Sequence, residues 1–166
     1  MQEAGGPVPA ADADRSDELV DAVMTASRVL VAIAARSLAA AGEVSLPQYR
    51  ALVVLASRGP QRAVDLAAAL GVNPSSATRL CDRLSRAGLV RRQRQSADRR
   101  AVKVALSPRG RELVVEVTQR RREEFERLLG DLPAEQHELV ISALRAIADA
   151  AGEVPERDMA VGLGWS

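Results

Sequence analysis

The stretch Gly71-Val72-Asn73-Pro74-Ser75-Ser76 decides how this chain folds. Asn73 is a strong helix cap, because its side-chain oxygen can accept a first-turn backbone N–H, and Pro74 suits the first helical position, where a missing N–H costs nothing. Gly71 supplies the residue on which the preceding helix stops. Two helices joined by so short a Gly-containing turn make a helix-turn-helix. Beyond the turn, Ala77, Leu80, Cys81 and Leu84 fall at i, i+3, i+4 and i+7 and form one apolar stripe. Ser75, Ser76, Arg79, Arg83 and Arg86 line another face. Short polar residues at the helix start, with arginines behind, suit a major groove: Ser reaches bases or phosphates, and Arg pairs with guanine O6/N7. Asn73, Ser75, Ser76, Thr78, Arg79 and Arg83 are therefore the candidate DNA contacts of a recognition helix.

On the upstream side, residues 63–70 predict a short helix with Val64, Leu66, Ala67 and Leu70 inward, although Ala63 stands where a capping Ser or Thr would serve. Ser45-Leu46-Pro47-Gln48 has the form of a capping box. The helix it opens carries Leu52, Val53, Leu55 and Ala56 and stops at Gly59-Pro60. On the downstream side, Gly88 closes the recognition helix and the period changes. Residues 89–94 and 101–106 read as two strands, the second with Val102, Val104 and Leu106 inward and Lys103 outward. Gln95 to Arg100 form the charged tip between them, and a β-hairpin directly after a helix-turn-helix is a wing. Arginines at such a tip suit a narrow minor groove.

The outer segments are helical. Ser16 is the expected cap of the first helix, with Asp17 and Glu18 in its first turn. Its stripe of Leu19, Val23, Ala26, Leu30 and Ile33 is broadened by Val20, Met24, Val29, Val31 and Leu38. Either this helix lies deep in the core or a second subunit covers it. Ser107-Pro108 starts a long helix running to about Leu129, in which Arg120-Arg121-Arg122 precede Glu123, Glu124 and Glu126, a pattern of solvated i,i+4 pairing. Pro133 opens a last helix to about Ala151, through Leu139, Val140, Leu144, Ile147 and Ala148. Residues 1–15 read as a flexible extension, and residues 152–166 as a tail without period, which is either disordered or docks Trp165 on its own or a partner subunit.

Composition narrows the function. The 166 residues carry 23 basic and 22 acidic groups, net +1, but the charge is segregated. Residues 1–72 hold 6 basic and 8 acidic groups (−2), residues 73–111 hold 11 and 2 (+9), and residues 112–166 hold 6 and 12 (−6). A central basic block is the footprint of a polyanion partner or, more blandly, a solvated Arg-rich surface. Only Tyr49, Phe125 and Trp165 are aromatic, too few for base-stacking platforms. The single Cys81 and single His137 leave no disulfide framework and no metal cluster, and no cofactor is expected. Cys81, on the inner stripe, reads as a buried small hydrophobe before a redox switch. No phosphate-binding loop, dinucleotide fingerprint or nucleophile elbow is present, and His137-Glu138 is followed by Ile141 where a zinc protease needs His. The chain reads as a non-enzyme without catalytic residues. No basic start or long apolar run addresses it to a membrane, so a cytoplasmic location is expected.

Several stretches in register resemble the MarR (multiple antibiotic resistance regulator) family of bacterial transcription factors. They are residues 46–56, Asp65-Leu66-Ala67, residues 70–76, Arg79-Leu80, Asp82-Arg83-Leu84, Ala87-Gly88-Leu89-Val90, Asp98-Arg99-Arg100 and residues 106–110. The resemblance covers roughly residues 16–151. It implies a mainly α fold with a small β-wing: a winged helix-turn-helix at about 45–106, with dimerisation helices at about 16–42 and 107–151. It further implies a homodimer on a palindromic double-stranded DNA operator, acting as a repressor released by a small aromatic or phenolic effector. Asp98 and Arg100 match the family's Asp-x-Arg wing-tip element, with Arg99 beside them, while Gln95 and Ser96 replace the acidic residue and Pro often found before it. The implied effector pocket lies near Met24, Arg28, Tyr49 and Phe125. The alternative is a dimeric helical interaction module that keeps the fold without specific DNA binding.

Overall fold

The computed structural model describes residues 10–42, 44–94 and 102–156. Ten elements follow in order: α1 (Ala10–Ala39), α2 (Leu46–Arg58), β1 (Gln61–Arg62), α3 (Ala63–Leu70), α4 (Pro74–Arg86), β2 (Val90–Arg94), β3 (Val102–Leu106), α5 (Pro108–Gly130), a 3-10 turn (Ala134–Gln136) and α6 (His137–Ala150). The strands form one antiparallel sheet in the order β1-β3-β2, with Arg92 opposite Val104 and Gln61 on that residue's other side. The edge strand β1 is not anticipated from sequence, since two residues after Gly59-Pro60 are too few to show a period.

Local chemistry explains most boundaries. The Ser45 N–H donates to Gln48 Oε1 at 2.8 Å, the returning half of the capping box. Gly71 adopts φ 65 and ψ 31, and the chain turns so that the Val72 N–H donates to Ala67 O at 3.0 Å, closing α3. The start of α3 has no side-chain cap. Instead the Arg62 guanidinium grips Asp65 with two bonds of 2.7 Å, which holds that carboxyl below the usual carboxylate range.

The core lies where α2, α3, α4, the sheet and the first half of α5 meet, and Leu52, Leu66, Leu84, Val114 and Val117 are wholly enclosed. Three expectations need correction. The first helix begins at Ala10, so Ser16 lies inside it rather than at its N-cap. Val64 is half exposed, because it sits two residues, about 200° of helix, away from Leu66. Val102 is also exposed, since it pairs with Arg94 at the outer end of the ladder, beyond the reach of the helices. Arg120 does form a solvated i,i+4 pair, but with the preceding Glu116 at 2.8 Å rather than a following glutamate, and Glu124 meets Arg36 of α1 at 2.7 Å.

Among the described side chains of α1, burial is confined to its last turns, at Ile33, Ser37 and Leu38; Leu19, Val20, Val23 and Met24 stand exposed. α6 buries no residue at all against its own chain, and Leu139 is 71% exposed. Of the two readings of the over-apolar first helix, the one that puts it deep in its own subunit's core fails.

α5 enters the fold through one tight junction. The Ser107 N–H donates to Leu89 O at 3.1 Å, and the Ser107 hydroxyl donates to Gly88 O at 2.6 Å while accepting the Gly110 N–H at 3.0 Å. Arg109 donates to Ala87 O at 3.2 Å. Gly110 is pressed so close to this turn that an added Cβ would stand 2.0 Å from Leu89 O.

Two outcomes follow from this packing. Gly110→Ala should lower unfolding free energy by about 2–3 kcal/mol in urea melts, because backbone must move to admit the methyl. Cys81 is buried at 3% exposure, and this burial, with the nearby Asp82 charge second, pushes its thiol pKa up. A thiol reagent should therefore label the native chain far more slowly than the urea-unfolded chain.

Candidate nucleic-acid interface

α4 is held rigidly at its start and inner side. Asn73 Oδ1 accepts from the Ser76 N–H and from the Ser75 hydroxyl, both at 2.8 Å. Thr78 Oγ1 donates to Pro74 O at 2.9 Å. Ala77, Leu80, Cys81 and Leu84 are all buried in the core, as their spacing predicts. The opposite side of the helix is open: Ser75, Thr78, Arg79, Arg83 and Arg86 are exposed, and Ser76 is half-buried. Among the described residues, Arg79 and Arg83 have no hydrogen-bonding or ion-pairing partner, so their guanidinium donors are available to a ligand.

The sheet flanks this helix. Arg91 and Arg92 project from β2 as exposed residues, and Arg92 Nη2 pairs with Asp82 Oδ1 of α4, linking strand to recognition helix. Asp98, Arg99 and Arg100 lie outside the described residues. Asp82, Ser85 and Arg92 are not among the DNA contacts expected from the sequence. The available signal is an acidic residue on an arginine-lined helix face, ten positions before an arginine of the next strand.

The four residues suggested for an effector pocket separate into two places. Tyr49 is buried and its hydroxyl shares a hydrogen bond with Thr118 Oγ1 at 3.3 Å. Thr118, Arg121, Arg122, Phe125, Glu126, Leu129 and Glu156 line a cavity of about 320 Å³ along α5. Phe125 thus lines it and Tyr49 adjoins it through Thr118. Met24 and Arg28 stand exposed on α1, Arg28 donating to Thr25 Oγ1 at 3.2 Å, and neither lines the cavity. Arg121, one of the lining residues, has a buried Nε without a hydrogen-bond partner.

Among the described residues no cluster of three or more His, Cys, Asp or Glu could hold a metal ion, and no helix is long and apolar enough to cross a membrane. His137 is an exposed residue whose Nε2 lies 3.3 Å from Leu132 O.

This arrangement has known counterparts. Residues 44–102 match the model of the MarR family. A curated relative is an uncharacterized HTH-type transcriptional regulator, YfiV of Bacillus subtilis, 29% identical over 108 residues, which are 65% of this chain and 68% of that protein. Among solved structures, RV1404 from Mycobacterium tuberculosis is 39% identical with a TM-score of 0.80, over 85% of this chain and 97% of that one. A MarR family protein from Bacillus stearothermophilus shares the fold at 23% identity and a TM-score of 0.77, over 84% of this chain and 97% of that one. With helix-turn-helix, flanking sheet and outer helices all matched, the chain belongs to the MarR family of winged-helix, DNA-binding transcriptional regulators, which are not enzymes.

Proposed function

We propose that this regulator binds a palindromic operator as a homodimer, represses transcription from it, and lets go when a small aromatic or phenolic anion binds. The observation that carries the DNA reading is the outer face of α4, where Arg79 and Arg83 are exposed and unpartnered on a helix fixed by its Asn73 cap. Asn73, Ser75, Ser76 and Thr78 lie at the end of the helix that leads into a major groove. Ser75 and Thr78 are held by local hydrogen bonds, which leaves the arginines as the longest-reaching base readers. By family resemblance Asp98, Arg99 and Arg100 serve the minor groove.

Dimerisation is supported by apolar surface that the chain leaves uncovered. Leu19, Val20 and Met24 on α1 and Leu139, Leu144 and Ile147 on α6 are all about half exposed or more, a concentration that marks interaction surface. A two-fold dimer would also set two recognition helices to read the two halves of a palindrome. Effector release is supported by the α5 cavity, in which apolar Phe125 and Leu129 lie beside Arg121 with its unpartnered Nε.

The test is binding of purified protein to its own upstream DNA, with footprinting in the presence and absence of phenolic acids. Affinity should fall with salt by about 0.9 log units per log unit for each phosphate neutralised. Arg79→Ala should cost about 1–3 kcal/mol of discrimination at one base position. Arg100→Ala should weaken binding while the dimer persists. Leu144→Arg should shift sedimentation toward the monomer and weaken operator binding with it. Binding to the upstream region no tighter than to random DNA would leave the fold serving protein contacts alone.

A further inference from the structure

We propose that the cleft between α4 and β2, lined by Asp82, Ser85, Arg86 and Arg92, seats one phosphodiester of duplex DNA. Arg86 is its principal contact, and Arg92 is the second, aimed by Asp82. The inference rests on the DNA-binding reading above and adds a site to it, distinct from the base-reading positions at the start of α4.

The cleft is open, about 450 Å³ in volume, and its four lining residues come only from the last turns of the recognition helix and the first flanking strand. Three of the four are charged, with Asp82 at −1 and Arg86 and Arg92 at +1 each, so the site has a net charge of +1. Asp82 by itself would repel a phosphate. Here its Oδ1 is taken by Arg92 Nη2, which neutralises the carboxylate and fixes the strand's guanidinium against the helix. Arg86 is tethered only by its Nε, 3.4 Å from the Asp82 carbonyl, so its terminal nitrogens have no partner among the described residues. Ser85, exposed between them, adds a hydroxyl donor.

Topology supplies the ligand. When α4 occupies a major groove, the sheet beside it lies over the sugar-phosphate strand that separates this groove from the next minor groove. In that pose the strand would pass over the gap between α4 and β2, which is where the cleft lies. Two guanidinium groups and a hydroxyl around an open, positively charged hollow suit a phosphate oxygen pair, which accepts hydrogen bonds and carries no sequence information.

The experiment uses the full-length protein, the duplex it binds most tightly and a scrambled duplex of equal length, with affinity followed by fluorescence anisotropy from 50 to 200 mM salt. Arg86→Gln removes one contact per protomer, two per dimer, and should reduce the salt slope by about 1.8, so that its affinity falls about twelvefold less than wild type over that range. It should weaken both duplexes by the same factor. Arg86→Lys, which keeps the charge, should retain the wild-type slope, and circular dichroism of each variant reports that the fold is intact. A series of duplexes each carrying one neutral methylphosphonate should show a single position per half-site that weakens wild type but not Arg86→Gln. Arg92→Gln should lose sensitivity to the same position. If wild type binds DNA but Arg86→Gln keeps the full slope and responds to every methylphosphonate as wild type does, the phosphate seat is wrong while the DNA reading stands. If Arg86→Gln changes the preference between duplexes, Arg86 reads bases and the seat is equally wrong. If wild type shows no salt-dependent DNA binding, the DNA reading itself has failed.

Discussion

Backbone meets backbone where α5 leaves the sheet, and the geometry of the whole chain depends on that contact. The first turn of α5 sits against residues 87–89 with no side chain between them, since Gly110 leaves no room for one. Ser107 acts twice there, capping α5 through Gly110 and binding the Gly88 carbonyl at the end of the recognition helix. Arg109 adds a bond to Ala87. A long rigid helix is thus fixed directly to the exit of α4 and the entry of β2. Any tilt of α5 is passed to the recognition helix and the sheet as one body, because close-packed contacts of this kind transmit displacement rather than absorb it.

The same helix carries contacts in the other direction. Tyr49 of α2 meets Thr118, and Arg36 of α1 meets Glu124, so α5 touches the recognition module and the N-terminal helix along one rod. The cavity containing Phe125 and Arg121 opens on this rod beyond Thr118. A ligand that bent or rotated α5 there would act on α4 through the Ser107–Gly110 junction. That is a short mechanical path between the proposed effector site and the proposed DNA contacts.

Where local chemistry decides structure, the sequence was legible. Asn73-Pro74, Ser45 to Gln48 and Gly71 each determine a helix end through their own atoms, and the ranges of α2, α3 and α4 follow. The inner stripe of α4 was legible too, because four apolar residues at helical spacing leave no other face to bury. Legibility failed where nonlocal geometry decides. Val64 and Val102 are apolar but face away from the core, which depends on where neighbouring elements end. The β1 strand exists only because β3 offers it an edge. Arg92 finds Asp82 because β2 runs back beside α4, a proximity no residue spacing announces. The effector residues divided for the same reason: Met24 and Phe125 lie on different helices, and only packing determines whether they share a space. The net charge of +1 likewise averages a +9 centre with acidic flanks, and the described part of that centre falls on α4, the sheet and the start of α5.

α6 carries a further consequence. It has 14 residues, none of them buried against its own chain, and a helix of that length is marginal in water by itself. In the proposed dimer its order would come from the partner surface over Leu139, Leu144 and Ile147, while α2 to α5 hold one another. The molecule should consequently open in a fixed sequence, with amide protons of α6 exchanging at low free-energy cost and those around Leu52, Leu66 and Leu84 only on global unfolding. Dilution would then act on this protein much as mild heat does, reaching its last helix first.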